Sequence, residues 1–297
     1  NASPMNRADL TLLLVAAIWG TTFALLRDSV RVLHPVDLMA LRFTIGGVVL
    51  AAIYRKRIWP LQRQWLIDGA WLGLWLGAGY LSLVIGLTTI SASRSAFITG
   101  SYVAVVPIVA YAVWRTRPKF GEFLGIVLVL AGLFAFSADS GFSLGPGDFW
   151  TLGCAFTFGV QIIITNIVVR RSDPMALSVI QIAMGAIMGW IFVGARGGID
   201  TPWTEIPWAT LLYLAIFATS LVIALQTWAL GRTSPIKAGL IFSLEPVFAA
   251  IFAGLFFGER MTARELMGAA LIMGGIVVTE LWGRVTDWIG ARRDAGS

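Results

Sequence analysis

Residues 88–107, TTISASRSAFITGSYVAVVP, and residues 227–246, TWALGRTSPIKAGLIFSLEP, match each other at an offset of 139 positions. They share a threonine at the start, a serine, a glycine and a final proline in register, while most apolar positions differ. Leucine and alanine recur by chance in an apolar chain, so matches of glycine and proline at one offset are stronger evidence of duplication. The two stretches therefore predict an internal repeat.

The repeat extends in both directions from these stretches. With the same offset, Asp9, Gly20, Pro35 and Gly46 match Asp148, Gly159, Pro174 and Gly185. Farther along, the offset becomes 143, and Glu122, Gly125 and Gly132 match Glu265, Gly268 and Gly275. We expect two halves, 9–140 and 146–282, with an N-terminal tail, 1–8, and a cytoplasmic C-terminal tail, 283–297.

The composition excludes an ordinary soluble domain. Hydrophobic residues make up 58% of the 297 residues, charged residues only 13%, and the mean hydropathy is +0.82. Soluble domains carry roughly 25% charged residues, which is what covers their surface in water. Most of this surface must therefore face lipid.

Ten apolar runs are long enough to cross a bilayer as helices, which takes about 20 residues. They are Asp9–Leu26, Asp37–Tyr54, Leu66–Thr89, Ala92–Trp114, Gly121–Ala138, Asp148–Val169, Met175–Gly194, Trp208–Leu230, Ile236–Phe257 and Ala263–Trp282. None shows the alternating pattern of a membrane β-barrel strand. The sequence predicts an all-α integral membrane protein.

The distribution of lysine and arginine predicts the orientation. With a cytoplasmic N-terminus, 15 of these residues fall in cytoplasmic segments and 6 in outer segments. Such a bias places both termini in the cytoplasm. Because each half then holds five spans, an odd number, the second half must cross the membrane upside down. Inverted repeats of this kind are typical of secondary transporters, whose binding site lies between the halves.

Several motifs resemble one family. They are IWGTTF at 18–23, LRF at 41–43, LEPVFAA at 244–250 and GERMT at 258–262. Together they resemble the EamA-type proteins of the drug/metabolite transporter superfamily, and within it the YddG-type bacterial exporters of aromatic amino acids. The first half departs from the pattern, with Arg115–Pro118 where the second half has Gly258-Glu259. The resemblance implies ten helices in the bacterial cytoplasmic membrane and export of Phe, Tyr, Trp and related solutes.

Aromatic side chains deep within the spans are the first candidates for solute binding: Trp19, Tyr80, Tyr102, Phe158 and Trp228. Flat rings suit a flat apolar solute and attract an ammonium group through their faces. The alternative for each ring is ordinary helix packing.

Uncharged polar side chains form a second set, Thr99, Gln161, Gln226 and Ser243. They could bind the carboxylate and ammonium groups of a zwitterion without adding a fixed charge. The alternative is hydrogen bonding between helices, worth about 0.6 kcal/mol for each bond.

Two charged residues fall within the spans, where ionised groups are costly and often functional. Arg42 matches Gln181 in the repeat, and we expect it to have a structural or gating role. Glu245 precedes Pro246 near the middle of the ninth span and is the one candidate for carrying a proton. Its alternative role is a structural hydrogen bond to the backbone that the proline leaves free. The first half places Val106 before its matching proline.

Glycine and proline predict the moving elements and the packing surfaces. Gly100 with Pro107, and Gly239 with Pro246, are the expected hinges of the fourth and ninth spans. Gly69, Gly73 and Gly77 form a small-residue stripe on the third span, where helix backbones can approach closely. We expect this stripe to pack within a monomer; a dimer interface is the alternative.

Other functions lack support in the sequence. With Cys154 and His34 as the only cysteine and histidine, we expect no metal and no cofactor. The net charge of +6 is explained by membrane topology, so we expect no nucleic-acid partner. The expected partners are a small-molecule substrate and the lipid bilayer, and the expected protein is not an enzyme. A broad-specificity drug or metabolite exporter, a channel and a membrane-embedded enzyme remain alternatives.

Overall fold

The computed structural model describes residues 6–115, 117–137, 145–257 and 262–294. Within these ranges every regular element is helical. The helices are α1 (Arg7–Gly20), α2 (Thr22–Ser29), α3 (Pro35–Ile58), α4 (Arg63–Gly86), α5 (Ala92–Gly100), α6 (Tyr102–Trp114), α7 (Phe120–Ser137), α8 (Pro146–Val168), α9 (Pro174–Arg196), α10 (Trp208–Ala215), α11 (Val222–Leu230), α12 (Pro235–Phe242), α13 (Glu245–Phe257) and α14 (Ala263–Asp294). A π-helical segment, Ile216–Leu221, joins α10 to α11.

The predicted all-helical membrane fold is confirmed. In the described ranges, nine helical stretches are long and apolar enough to span a membrane. A shorter apolar stretch, Phe120–Ala135 in α7, falls where the fifth span was predicted. The last helix, α14, runs to Asp294, so most of the predicted C-terminal tail continues the tenth span as helix. The motif residues Gly258 and Glu259 lie outside the described ranges.

Polar residues and prolines begin the helices. Asn6 and Asp9 form a reciprocal capping box at the start of α1, and the Asp173 side chain accepts from two backbone N–H groups at the start of α9. Four helices have proline as their first residue, where no intrahelical N–H bond is lost: α3, α8, α9 and α12. These signals fix the short connections between successive spans.

Three of the spans are interrupted by a short break in the helix. The breaks lie at Thr21, at Ser101 and at 243–244. At each one a hydroxyl donates to a carbonyl of the preceding turn, from Thr21 to Ile18, from Ser101 to Ile98 and from Ser243 to Gly239. Each of these oxygens also accepts the backbone N–H of the same residue, so the hydroxyl adds a second hydrogen bond at the break.

Two of the four predicted hinge residues lie next to breaks and two do not. Gly100 ends α5 and Pro246 is the second residue of α13, so these two residues adjoin breaks. Pro107 lies inside α6 and Gly239 inside α12, away from them. The ungapped offset of 139 was wrong at this span: α6 and α13 begin 143 residues apart, at Tyr102 and Glu245.

The second half has additional residues in the connection between its second and third spans. The α3–α4 connection is 59–62, whereas the α9–α10 connection is 197–207. Tyr102, not Val106, is therefore the positional equivalent of Glu245. Matching glycines and prolines in this span were a coincidence of spacing.

The glycine stripe of α4 packs against α9. A Cβ atom built on Gly69, Gly73 or Gly77 would lie within 2.7 Å of the side chain of Ile180, Met184 or Met188, respectively. At Gly73 it would also lie 2.7 Å from the Gln181 carbonyl oxygen. The stripe thus serves intramolecular packing, which brings two backbones together as small-residue surfaces do in membranes.

Ion pairs join α3 of the first half to α9 of the second half at both ends of this helix pair. Arg57, near the end of α3, bonds Asp173 at the start of α9 at 2.9 Å. Arg196, at the end of α9, bonds the fully buried Asp37 in the first turn of α3 at 2.6 Å. Arg57 and Arg196 are 139 residues apart, so one contact repeats the other. The antiparallel α3–α9 pair is therefore clamped at each end.

Two further ion pairs occupy equivalent positions in the two halves. Each joins the helix before a break, α5 or α12, to the first helix of the other half, α8 or α1. Arg94 in α5 bonds Asp148 in α8 at 2.5 Å, and Lys237 in α12 bonds Asp9 in α1 at 2.9 Å. Lys237 also contacts Glu280 of α14 at 2.7 Å. Both aspartates are almost fully buried. The two contacts use equivalent residues, offset by 139 for the aspartates and 143 for the cations.

Candidate functional site

A cavity lies at the centre of the helices, bounded by both halves of the chain. The centres of water-sized molecules can occupy about 60 Å³ of it, room for several waters. The predicted residues that line it are Trp19, Arg42, Tyr80, Thr99, Tyr102, Phe158, Gln161, Gln226 and Glu245.

Arg42 holds one side of the cavity together through neutral partners. Its guanidinium donates to the Thr219 hydroxyl at 2.5 Å, to the Tyr80 hydroxyl at 2.6 Å and to the Ala218 carbonyl at 3.0 Å. It also lies 4.6 Å from the Tyr80 ring centroid. Because Ala218 and Thr219 belong to the π-helical segment, Arg42 links α3 to the interrupted eighth span. Thr219 was not predicted as a site residue, since only the π-helical turn aims it at Arg42.

Aromatic rings form much of the remaining wall. Phe242 lies 5.4 Å from Trp19 and 6.5 Å from Tyr102, measured between ring centroids. The Trp19 indole N–H donates to the Ala218 carbonyl at 3.3 Å, the same oxygen that Arg42 uses. Phe43 meets Tyr80 edge to face at 5.0 Å. Phe43 and Phe242 were not predicted, because phenylalanine is too common in this chain to mark a site.

Glu245 occupies another part of the wall. It is 5% exposed, and its Oε1 atom accepts a hydrogen bond from the Tyr102 hydroxyl at 3.0 Å. These two residues begin α13 and α6 at equivalent positions after the two breaks. Glu245 has no cation within 4 Å in the part of the chain described. In the described ranges the cavity wall thus contains a carboxyl group and a guanidinium that do not form an ion pair with each other.

The uncharged candidates divide into satisfied and unsatisfied groups. The Gln161 amide donates to Gln181, whose own amide donates to Thr227. By contrast, the Gln226 Oε1 atom is buried without a hydrogen-bond partner, and the buried Thr99 hydroxyl has the Cys154 thiol as its one polar neighbour in the described ranges. Buried polar atoms are nearly always paired, so these two atoms are candidates for contact with a bound molecule.

Two candidates lie away from the cavity wall. Trp228 stacks beneath the Arg232 guanidinium, 4.4 Å from ring centroid to Cζ. Ser243 is buried and bonds the Gly239 carbonyl at the α12–α13 break. None of Gly100, Pro107, Gly239 and Pro246 lines the cavity. Across the described ranges, no group of three or more His, Cys, Asp and Glu side chains is placed to hold a metal ion.

A helical membrane protein that encloses an aromatic and polar cavity between its spans has the architecture of a small-molecule transporter. A model of the EamA-like transporter family matches this chain twice, over residues 6–138 and 145–281. The chain therefore belongs to the EamA-like transporter family, as its motifs predicted. It is a multi-pass membrane protein, and its family indicates a transporter rather than an enzyme.

Similar proteins span nearly the whole chain. An "Uncharacterized transporter" of Archaeoglobus fulgidus is 31% identical over 278 residues, covering 92% of this chain and 86% of the relative. A "Probable amino-acid metabolite efflux pump" of Salmonella typhimurium is 27% identical, covering 95% and 97%. One solved crystal structure shares the fold with a TM-score of 0.79 and 18% identity, covering 95% of this chain and 98% of that one.

Proposed function

We propose that this protein exports small amphipathic metabolites, with aromatic amino acids as its main substrates, across a bacterial cytoplasmic membrane. The observation that carries the proposal is the central cavity, whose wall combines the rings of Trp19, Phe158 and Phe242 with the opposite charges of Arg42 and Glu245. Aromatic surface suits an aromatic side chain, and separate charges suit a zwitterion. The amino-acid efflux pump among the relatives is consistent with this substrate class.

We further propose that transport proceeds by alternating access between two inverted five-helix halves of a monomer. Both termini then face the cytoplasm, which places the Arg94–Asp148 contact at the outer side and the Lys237–Asp9 contact at the cytoplasmic side. Each contact ties a broken helix to the first helix of the opposite half. Breaking one while keeping the other would expose the cavity to one side at a time. The paired breaks at 101 and 243–244 provide the flexible points.

A solute-exchange experiment tests the proposed function. Purified protein in liposomes preloaded with unlabelled Phe is expected to exchange labelled Phe and Trp saturably, and to exchange labelled Ala more weakly. A Trp19→Ala/Tyr102→Ala double variant is expected to reduce the initial rate by about tenfold or more, since both rings leave the cavity wall. Retention of the protein fold is checked by its unfolding temperature.

The matched control removes two rings that lie outside the wall, Trp203 and Trp208, which stack on each other 6.0 Å apart. Replacing both by leucine should leave the exchange rate unchanged. Equal exchange of aromatic solutes and of unrelated drugs would favour a broad-specificity exporter. A flux that does not saturate would indicate a channel, and no protein-dependent flux would reject the aromatic amino-acid assignment.

A further inference from the structure

Three side chains of the cavity wall carry oxygen atoms with hydrogen-bonding capacity that the protein does not fully use. Glu245 accepts one bond, from Tyr102, although a carboxylate can accept about four. The Gln226 Oε1 atom accepts none, and the Thr99 hydroxyl has only the weakly polar Cys154 thiol beside it in the described ranges. Each of these side chains is at most 5% exposed, so bulk water does not serve them. A buried polar atom left without a hydrogen bond is destabilising, so a bound molecule that supplies the bond is favoured.

These three side chains border the same cavity from three different helices. Thr99 lies on α5, Gln226 on α11 and Glu245 at the start of α13. Thr99 precedes Tyr102 by three residues, and the Tyr102 hydroxyl contacts Glu245 at 3.0 Å. The rings of Trp19, Tyr102 and Phe242 line the same cavity.

From this arrangement we infer that Glu245, Thr99 and Gln226 form a binding site for a primary ammonium group of the transported solute. An ammonium carries three N–H donors in a compact cation, which three oxygen acceptors can satisfy together. The charge of Glu245 strengthens one of the bonds. The neighbouring rings add attraction for a cation through their faces.

Arg42 does not occupy this site itself. Its N–H groups donate to Thr219, Tyr80 and Ala218, and it has no carboxylate within 4 Å in the described part of the chain. The acceptors around Glu245 are therefore left for a solute. The inference rests on the proposed function of the cavity and specifies which chemical group the substrate must carry.

Three solutes that share a phenyl ring but differ in charge test the inference. Phenylalanine carries both charges, phenethylamine only the ammonium and 3-phenylpropionate only the carboxylate. In detergent, competition against labelled Phe is expected to require about tenfold less phenethylamine than phenylpropionate. Glu245→Gln should weaken the amine about tenfold and bring the two competitors close to equality. Equal competition in the wild type, or an unchanged preference in Glu245→Gln, would overturn the ammonium site.

A second variant and a second readout separate failure of the site from failure of the fold or of the proposed function. Thr99→Val keeps the side-chain shape and removes the hydroxyl, so it should weaken the amine several-fold and leave the acid unchanged. Glu205→Gln makes the same charge change in an exposed loop and should alter neither. If labelled Phe does not bind, the proposed substrate is wrong. Thermal stabilisation by the amine but not by the acid would still support the ammonium site, and no such difference would reject it.

Discussion

Alanine in place of Gly73 is expected to lower the free energy of unfolding by about 3 kcal/mol, or the unfolding temperature by roughly 5–10 °C. The added methyl group would lie 2.4 Å from the Met184 Cβ atom and 3.0 Å from the Gln181 Cα atom. Those atoms belong to or adjoin the backbone of α9, so no flexible side chain can yield. The two helices must separate, and Gln181 would then move away from Gln161 on the cavity side.

The matched control is Gly194→Ala in α9, where an added methyl group would meet nothing within 4 Å. Alanine is about 1 kcal/mol more favourable than glycine inside a helix, so this variant should be neutral or slightly more stable. Thermal unfolding of both purified variants in one detergent makes the comparison. A Gly73→Ala protein as stable as Gly194→Ala would show that α4 and α9 do not pack through the glycine stripe.

Opposite shifts in cavity access are expected from Asp148→Asn and Asp9→Asn. Each change keeps the size of the side chain and removes the charge that binds Arg94 or Lys237. Loss of about 1–3 kcal/mol from one contact changes the ratio of the two states roughly 5–150-fold. Under the proposed mechanism, Asp148→Asn opens the outer side and Asp9→Asn opens the cytoplasmic side.

The readout is the labelling of one cysteine in the cavity, introduced as Thr22→Cys with Cys154→Ser. A thiol reagent that does not cross the membrane is applied to one face of oriented vesicles at a time. Asp148→Asn should accelerate labelling from the outside, and Asp9→Asn from the cytoplasmic side. Asp28→Asn is the control, because Asp28 is 70% exposed in its contact with Arg31 and such pairs contribute little. Faster labelling from the same face in both variants would contradict alternating access.

The fold followed from the sequence because lipid imposes a simple requirement on length and polarity. Apolar runs of about 20 residues predicted the spans, and the structure places helices over them. The breaks at Ser101 and at 243–244 were not predicted at their positions, since a serine whose hydroxyl bonds a carbonyl of the preceding turn looks like any other serine in the sequence. Proline was the residue from which a helix break was predicted, yet Pro107 lies within α6.

Much of the cavity wall was predictable for a related reason: polar and aromatic side chains deep in a span need a partner or a cavity. Depth alone could not separate these two cases. Ser243 found a backbone carbonyl, Gln161 found Gln181, and Gln226 lines the cavity with one atom unpaired. The Arg42 contacts depend on the π-helical turn of the eighth span, which no pattern in the sequence predicted.

The equivalence of Tyr102 and Glu245 has a consequence for the direction of transport. If the two halves also had the same key residues, exchanging their conformations would give outward-facing and inward-facing states of equal energy, related by a two-fold rotation. Here one half contributes a phenol and the other a carboxylate at the same point after the break. A cationic group therefore does not meet the same partner when the cavity faces the two sides. On the proposed mechanism, the apparent affinity measured from the cytoplasm differs from that measured outside, so a passive carrier of this design shows kinetic rectification.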